Sequence, residues 1–113
     1  MVAGGNAQTS VGGSMQTTVG KDAVTTAGSN VQLSAGRNVK MDIGQNLEMN
    51  VRKQATLTAA NELDLKSGDA SIVAKKDGEV AIKGKDVSIE ASGKINCKAV
   101  SDIVMRGQRV LQN

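Results

Sequence analysis

Apolar and polar residues follow a repeating unit of eight along the chain. Counted from the residue before each glycine, positions one, five and seven are apolar or small, and positions three and four are nearly always polar. The first position runs from Ala3 to Ala59. Val39 and Met41 of one octad and Ile43, the first residue of the next, alternate with charged residues. Because these positions are two residues apart, their side chains fall on one face of an extended strand. The pattern predicts short strands with one buried face, and no helical period competes with it.

Glycine marks the ends of these strands. Eight of the 13 glycines share one phase of the repeat, and a polar pair follows most of them. Since glycine and asparagine tolerate positive φ, we expect each such site to form a sharp corner. Arg52 and Ala60 replace glycine in two octads whose other positions keep the pattern. The predicted corner glycines are Gly12, Gly20, Gly28, Gly36, Gly44, Gly68 and Gly84.

The apolar phase changes once. Ile72, Ala74, Val80 and Ile82 lie one residue late relative to the earlier octads. Keeping the strict phase would bury charged residues without partners, which is too costly. We therefore expect a register slip within 67–86, with its two polar stretches forming corners or local bulges.

One chain offers little apolar surface, because many of its inward positions are Ala or Thr. Several copies wound around a shared axis would bury these small side chains against one another, and three chains in a triangular prism are the simplest solution. The absence of Pro fits, because Pro would remove a donor from a central strand. We predict an all-β fold, a homotrimeric intertwined three-stranded β-helix built from octapeptide repeats, with 1–113 as one domain. The predicted trimer core is Val31, Leu33, Val39, Met41, Ile43, Leu47, Met49, Val51, Leu57, Leu63, Leu65, Val87, Ile89, Ile95, Cys97, Ile103 and Met105.

Composition excludes several kinds of site. The chain has no His, Trp, Tyr or Phe and a single Cys, which removes His-based metal sites, zinc fingers and Ser-His or Cys-His catalysis. Aromatic platforms for nucleic acid are missing, and the 14 Lys and Arg are scattered along the chain. We expect no enzyme, catalytic residue, cofactor, metal or nucleic-acid partner. Cys97 is interpreted as a small buried apolar residue.

Two features allow alternative interpretations. Thr9, Thr17 and Thr25 occupy the inward seventh position, either as β-branched filling or as the lining of a wetter axis that holds water or an ion. Val110 and Leu111 near the C-terminus are either end-capping residues or a docking surface for a tip protein. No apolar run reaches the length of a transmembrane span, and residues 1–14 do not resemble a signal peptide.

The glycine-led octads and the run KDVSIEASGKINCKAVSDIVMRGQRV (85–110) resemble the C-terminal β-helix of the VgrG spike proteins of type VI secretion systems. They are also similar to the central needle of contractile-tail phages. The resemblance covers essentially the whole chain. It implies a trimeric membrane-puncturing needle, a C-terminal fragment of a longer spike protein. The self-tipped phage needles of this group hold a metal through His, so this His-free chain favours a separate cap.

The resemblance also implies partners and a location. A PAAR-repeat tip protein or effector would sit at the C-terminal end, N-terminal base domains and a tail tube would precede the needle, and contact with the target membrane would be transient. The spike would assemble in the cytoplasm and be secreted through the type VI apparatus. The alternatives are the central baseplate spike of a contractile-tail phage, a monomeric β-solenoid that serves as a binding module, and a fibre that assembles without a fixed end.

Overall fold

The computed structural model describes residues 4–113, so Ala3 lies outside the described residues. The predicted all-β class is confirmed: the described residues contain three strands and no helix. Since these residues form no helix, none of their segments is a helix that could cross a membrane. The chain divides into two units, Met1–Glu48 and Met49–Asn113, and each is described separately below.

The first unit consists of extended segments joined by bends at a constant spacing of eight residues. The described bends lie at residues 4–5, 12–13, 20–21, 28–29, 36–37 and 44–45. The corner glycines of this unit each stand first in a bend. They are Gly12, Gly20, Gly28, Gly36 and Gly44.

The second unit opens with the same bends built without glycine. They lie at Arg52–Lys53 and at Ala60–Asn61, again eight residues apart. Among the described residues, positive φ occurs only at Gly68 and Gly78. The expected reason for glycine at the corners of the first unit, a positive φ, is therefore wrong. The octad bend is a backbone conformation that Arg and Ala also adopt.

An antiparallel meander of three strands follows. Strand β1 is Glu62–Ser67, β2 is Ala70–Lys75 and β3 is Val80–Lys83, in the sheet order β1-β2-β3. Leu65 of β1 lies opposite Ile72 of β2, which lies opposite Ile82 of β3. Among the described residues, antiparallel pairing occurs at this meander, where the chain reverses its direction twice, and neighbouring octads of the first unit show no such pairing.

Each reversal depends on a glycine in the left-handed region. Gly68 (φ 56°) lies in the two-residue turn between β1 and β2, where a two-residue hairpin requires positive φ. Gly78 (φ 95°) lies in the second turn, and its N–H donates to the carbonyl of Lys75 at 3.0 Å. The N–H of Glu79 also donates to the Asp77 carboxylate at 3.1 Å, an Asx-type contact that fits an Asp-Gly turn.

The register gives the meander two chemically distinct faces, because cross-strand partners point to the same side of a sheet. The first, the apolar meander face, is formed by Leu63, Leu65, Ile72, Ala74, Val80 and Ile82, and Ser67 and Ala70 lie on the same side next to the first turn. The second, the charged meander face, consists of Glu62, Asp64, Lys66, Ser71, Val73, Lys75, Ala81 and Lys83.

The four residues that lie out of phase in the sequence all belong to the apolar meander face. The predicted register slip within 67–86 overlaps this meander. The two polar stretches form tight turns, and the chain reversals place Ile72, Ala74, Val80 and Ile82 on the side of Leu63. An antiparallel meander was not part of the sequence-based prediction.

Bends resume after the meander, less regularly than before. They lie at residues 85–86, 92–93, 100–101 and 107–108, at intervals of seven or eight residues. Gly84 precedes the first of them by one residue, and a Cβ at this position would lie 3.3 Å from Cγ2 of Val87. The octad pattern therefore persists on both sides of the meander.

Candidate self-assembly surface

The residues predicted to form a trimer core are uncovered in the single chain. Leu63 is half-buried, and all the others are exposed. Those with large aliphatic side chains range from 47% exposed at Ile43 to 74% at Met49 and Ile89. No described residue is fully buried, so the apolar side of the octads has no covering layer from the chain itself.

The accessible surface area shows how much of the chain is left uncovered. The 11.6 kDa chain exposes 12814 Å², whereas a compact monomer of this mass exposes about 5,800 Å². Each chain thus exposes about 7,000 Å² more surface than a compact protein of the same mass would expose. A standard interface buries about 800 Å² on each partner, so one ordinary docking partner would cover only a small part of it.

The main chain of the octads is also largely unpaired within the described residues. The main-chain hydrogen bonds seen outside the strands lie at the meander, including the 2.8 Å bond from the N–H of Lys76 to the carbonyl of Asn61. Glu48 and Asn50 have polar contacts of their own. Extended segments with free N–H and C=O groups are templates for pairing with further strands.

The corner glycines supply a separate observation. At Gly12, Gly20, Gly28, Gly36 and Gly44, an added Cβ would meet nothing within 4 Å. Since none of them has positive φ, neither backbone conformation nor crowding within the chain requires glycine there. A remaining physical reason is close approach by something outside the chain.

The apolar meander face is a three-stranded apolar surface in the second unit. Leu65, Ile72, Val80 and Ile82 are each about half exposed or more. An open groove of about 470 Å³ continues this face from Leu65, Ile72 and Ile82 to Val87 in the next octad. The uncovered surface of the sheet is therefore continuous with that of the following octad.

The charged meander face is covered in part by its own side chains. The Lys66 ammonium lies 3.1 Å from the Asp64 carboxylate, and Val73 beside Asp64 in the sheet is half-buried. Lys75 and Glu79 form a second pair at 3.8 Å. A sheet in water normally exposes its polar face and covers its apolar face. Here the apolar face has no covering layer within the described residues.

The remaining predicted sites are exposed. Cys97 is exposed in the chain, as are Val110 and Leu111 near the C-terminus and the three inward threonines. Within residues 4–113, no cluster of three acidic or Cys side chains is placed to hold a metal ion. Sequence reasoning missed the meander as a unit, although Gly68-Asp69 and Asp77-Gly78 between alternating strands are hairpin signals.

Comparison with known proteins adds no relative: no protein-family model matches the chain, and no curated protein matches it significantly.

Proposed function

We propose that this chain is the needle of a homotrimeric spike whose function is mechanical. The observation that carries the proposal is the apolar side of the octads, repeated every eight residues and uncovered throughout the described chain. In a trimer of intertwined chains, the partners' octads cover this side and pair with the free main-chain groups. Unfolding then requires the separation of three chains at once, so stability depends on assembly.

The amount of uncovered surface supports the assembly of several chains. A compact assembly of three chains would expose about 13,000 Å², whereas three separate chains would expose three times 12814 Å². Each chain would bury about 8,500 Å² in forming it, which is the scale of a shared core. The corner glycines agree, because a shared core brings neighbouring chains close to each bend.

The biological role follows from the sequence resemblance. A rigid trimeric needle of this kind belongs at the front of a type VI secretion spike, where it punctures a target envelope. Its C-terminal residues Val110 and Leu111 would dock a PAAR-repeat tip protein or effector, and base domains and a tail tube would join it from the N-terminal side. The same needle would serve in a contractile-tail phage.

Light scattering on the purified chain tests the assembly. We expect a single species of about 35 kDa, three times the mass of 11.6 kDa, with a melting temperature that rises with protein concentration. A species of 11.6 kDa with a cooperative melting transition would indicate the monomeric β-solenoid and refute the proposal. A growing series of masses would indicate an open-ended fibre and refute it equally.

The role in a spike needs a separate measurement. The trimer is mixed with a PAAR-repeat protein from the same genome, and binding is followed by calorimetry. We expect binding to the wild-type chain and loss of binding in Val110→Asp and Leu111→Asp, with the mass of the trimer unchanged. A trimer that binds no such protein would leave the shaft assignment in place and contradict the docking assignment.

A further inference from the structure

We propose that the meander of β1, β2 and β3 sets the register of the three chains by packing its apolar face against the same face of two other copies. This inference rests on the proposed trimer and adds a specific role for one segment. The octads supply most of the buried surface, and the meander determines which residue of one chain lies beside which residue of the next.

The octads alone leave the register ambiguous. Moving one chain by eight residues brings Val39 to the place of Leu47 and Met41 to the place of Met49. In the first unit every inward position would still hold an apolar or small residue, and every described bend would still meet a bend. A repeat of this kind specifies its pairing weakly, as other strands without a distinctive pattern do.

The meander occurs once in the described chain and cannot be exchanged for an octad. Its two rows across the sheet, Leu63-Ala74-Val80 and Leu65-Ile72-Ile82, present three strands of apolar side chains where an octad presents one. A chain displaced by one octad would place this face against a single extended segment and leave part of it in water. Aligned meanders avoid that loss.

A second copy is the occupant that the surface fits. The apolar meander face carries no charged residue, so identical faces meet without repulsion. The opposite face contributes ion pairs such as Asp64–Lys66, which suit an exterior in water. The groove beside Ile72 and Ile82 leads to Val87, so the same partners continue onto the next octad.

The test compares two isoleucines of similar exposure in the full chain. Ile72 lies on the apolar meander face (48% exposed) and Ile95 lies in an octad (53% exposed). Each is changed to Asn in a background with Cys97→Ser and a spin label at Ser92→Cys, which lies in a bend of the second unit. Electron paramagnetic resonance then gives the distances between the three labels.

In the wild-type background we expect one narrow distance, as three-fold symmetry requires. Ile95→Asn lowers the melting temperature and keeps the single distance. Ile72→Asn produces several distances, because chains displaced by one octad shift their labels by about 4.8 Å along the axis. Val80→Asn, on the outer strand of the same face, produces the same mixture and serves as a milder change where Ile72→Asn prevents assembly.

The outcomes separate the two proposals. A monomeric wild-type chain refutes the trimer and the register role together. A wild-type trimer in which Val80→Asn keeps one distance refutes the register role alone. The register role is also refuted if the Ile72 and Ile95 variants behave alike. This holds whether both variants keep the single distance or both lose the trimer.

Discussion

Replacing Val39 with Asp tests whether this residue lies in a core shared by three chains or on the exposed surface of a monomeric solenoid, because the expected loss of stability differs greatly between the two. Val39 is 59% exposed in the single chain, so partner chains would bury somewhat more than half of it. Full burial of a valine contributes about 1.5 kcal/mol, so losing this part costs about 1 kcal/mol per chain and about 3 kcal/mol per trimer. The larger cost comes from the charge, since an uncompensated buried charge costs about 3–5 kcal/mol, or about 10 kcal/mol for three.

The summed cost of about 13 kcal/mol is comparable to the whole stability of a typical folded protein, about 5–15 kcal/mol. We therefore expect Val39→Asp to abolish the trimer at micromolar concentration. In a monomer the aspartate would be solvated, and an exposed substitution of this kind changes stability by about 0.5 kcal/mol or less. Per chain, the expected cost of about 4 kcal/mol in the trimer is about eight times the largest effect expected in a monomer.

Val24→Asp is the matched control. Val24 lies in the same unit, at the outward sixth position, and is 85% exposed. The assay measures mass by light scattering and melting temperature at three protein concentrations. We expect the Val24 variant to match the wild type and the Val39 variant to have the mass of a single chain, 11.6 kDa. Equal mass and equal melting temperature in the two variants would show that Val39 does not face a partner.

Further predictions concern glycine and cysteine. Gly78→Ala should lower the free energy of unfolding by about 1 kcal/mol or more, because alanine is strained at a φ of 95°; an unchanged melting temperature would show that the second turn relaxes freely. Gly36→Ala should destabilise the assembly by about 1–3 kcal/mol, because the added methyl group would meet a neighbouring chain. The same change would stabilise a monomer by about 0.4–1 kcal/mol. Thermal denaturation therefore distinguishes the trimer from the monomer by whether the melting temperature falls or rises. Cys97 should react with a maleimide at least tenfold more slowly in the trimer than in the chain unfolded in urea; equal rates would place its thiol in water.

The sequence predicts the octad geometry well because that geometry is local. Alternation of apolar residues two apart defines an extended segment, and the bends at Arg52–Lys53 and Ala60–Asn61 continue the period without glycine. The period is thus carried by the pattern of the whole octad. The explanation by positive φ failed at the corner glycines of the first unit, because none of them has a positive φ.

The meander is harder to predict because it depends on pairing between distant residues. The change of phase at Ile72 is visible in the sequence, but an inserted residue and a reversal of direction both produce it. The glycines at 68 and 78 favour reversal, since a hairpin turn needs positive φ. Which side of the sheet is covered cannot be read from one chain, because the covering residues belong to other copies in the proposed assembly.

The glycine-free bends have a consequence for how such a chain changes length in evolution. A corner that Arg52 and Ala60 can form does not need a residue that tolerates positive φ or a specific partner along the chain. Duplication of eight codons within the octads would therefore add one more unit with its own bend and its own apolar side. The meander has no such freedom, because inserting a residue into β2 would turn Ile72 and Ala74 to the charged side. The number of octads can therefore change in steps of eight residues, whereas the length of the meander is constrained.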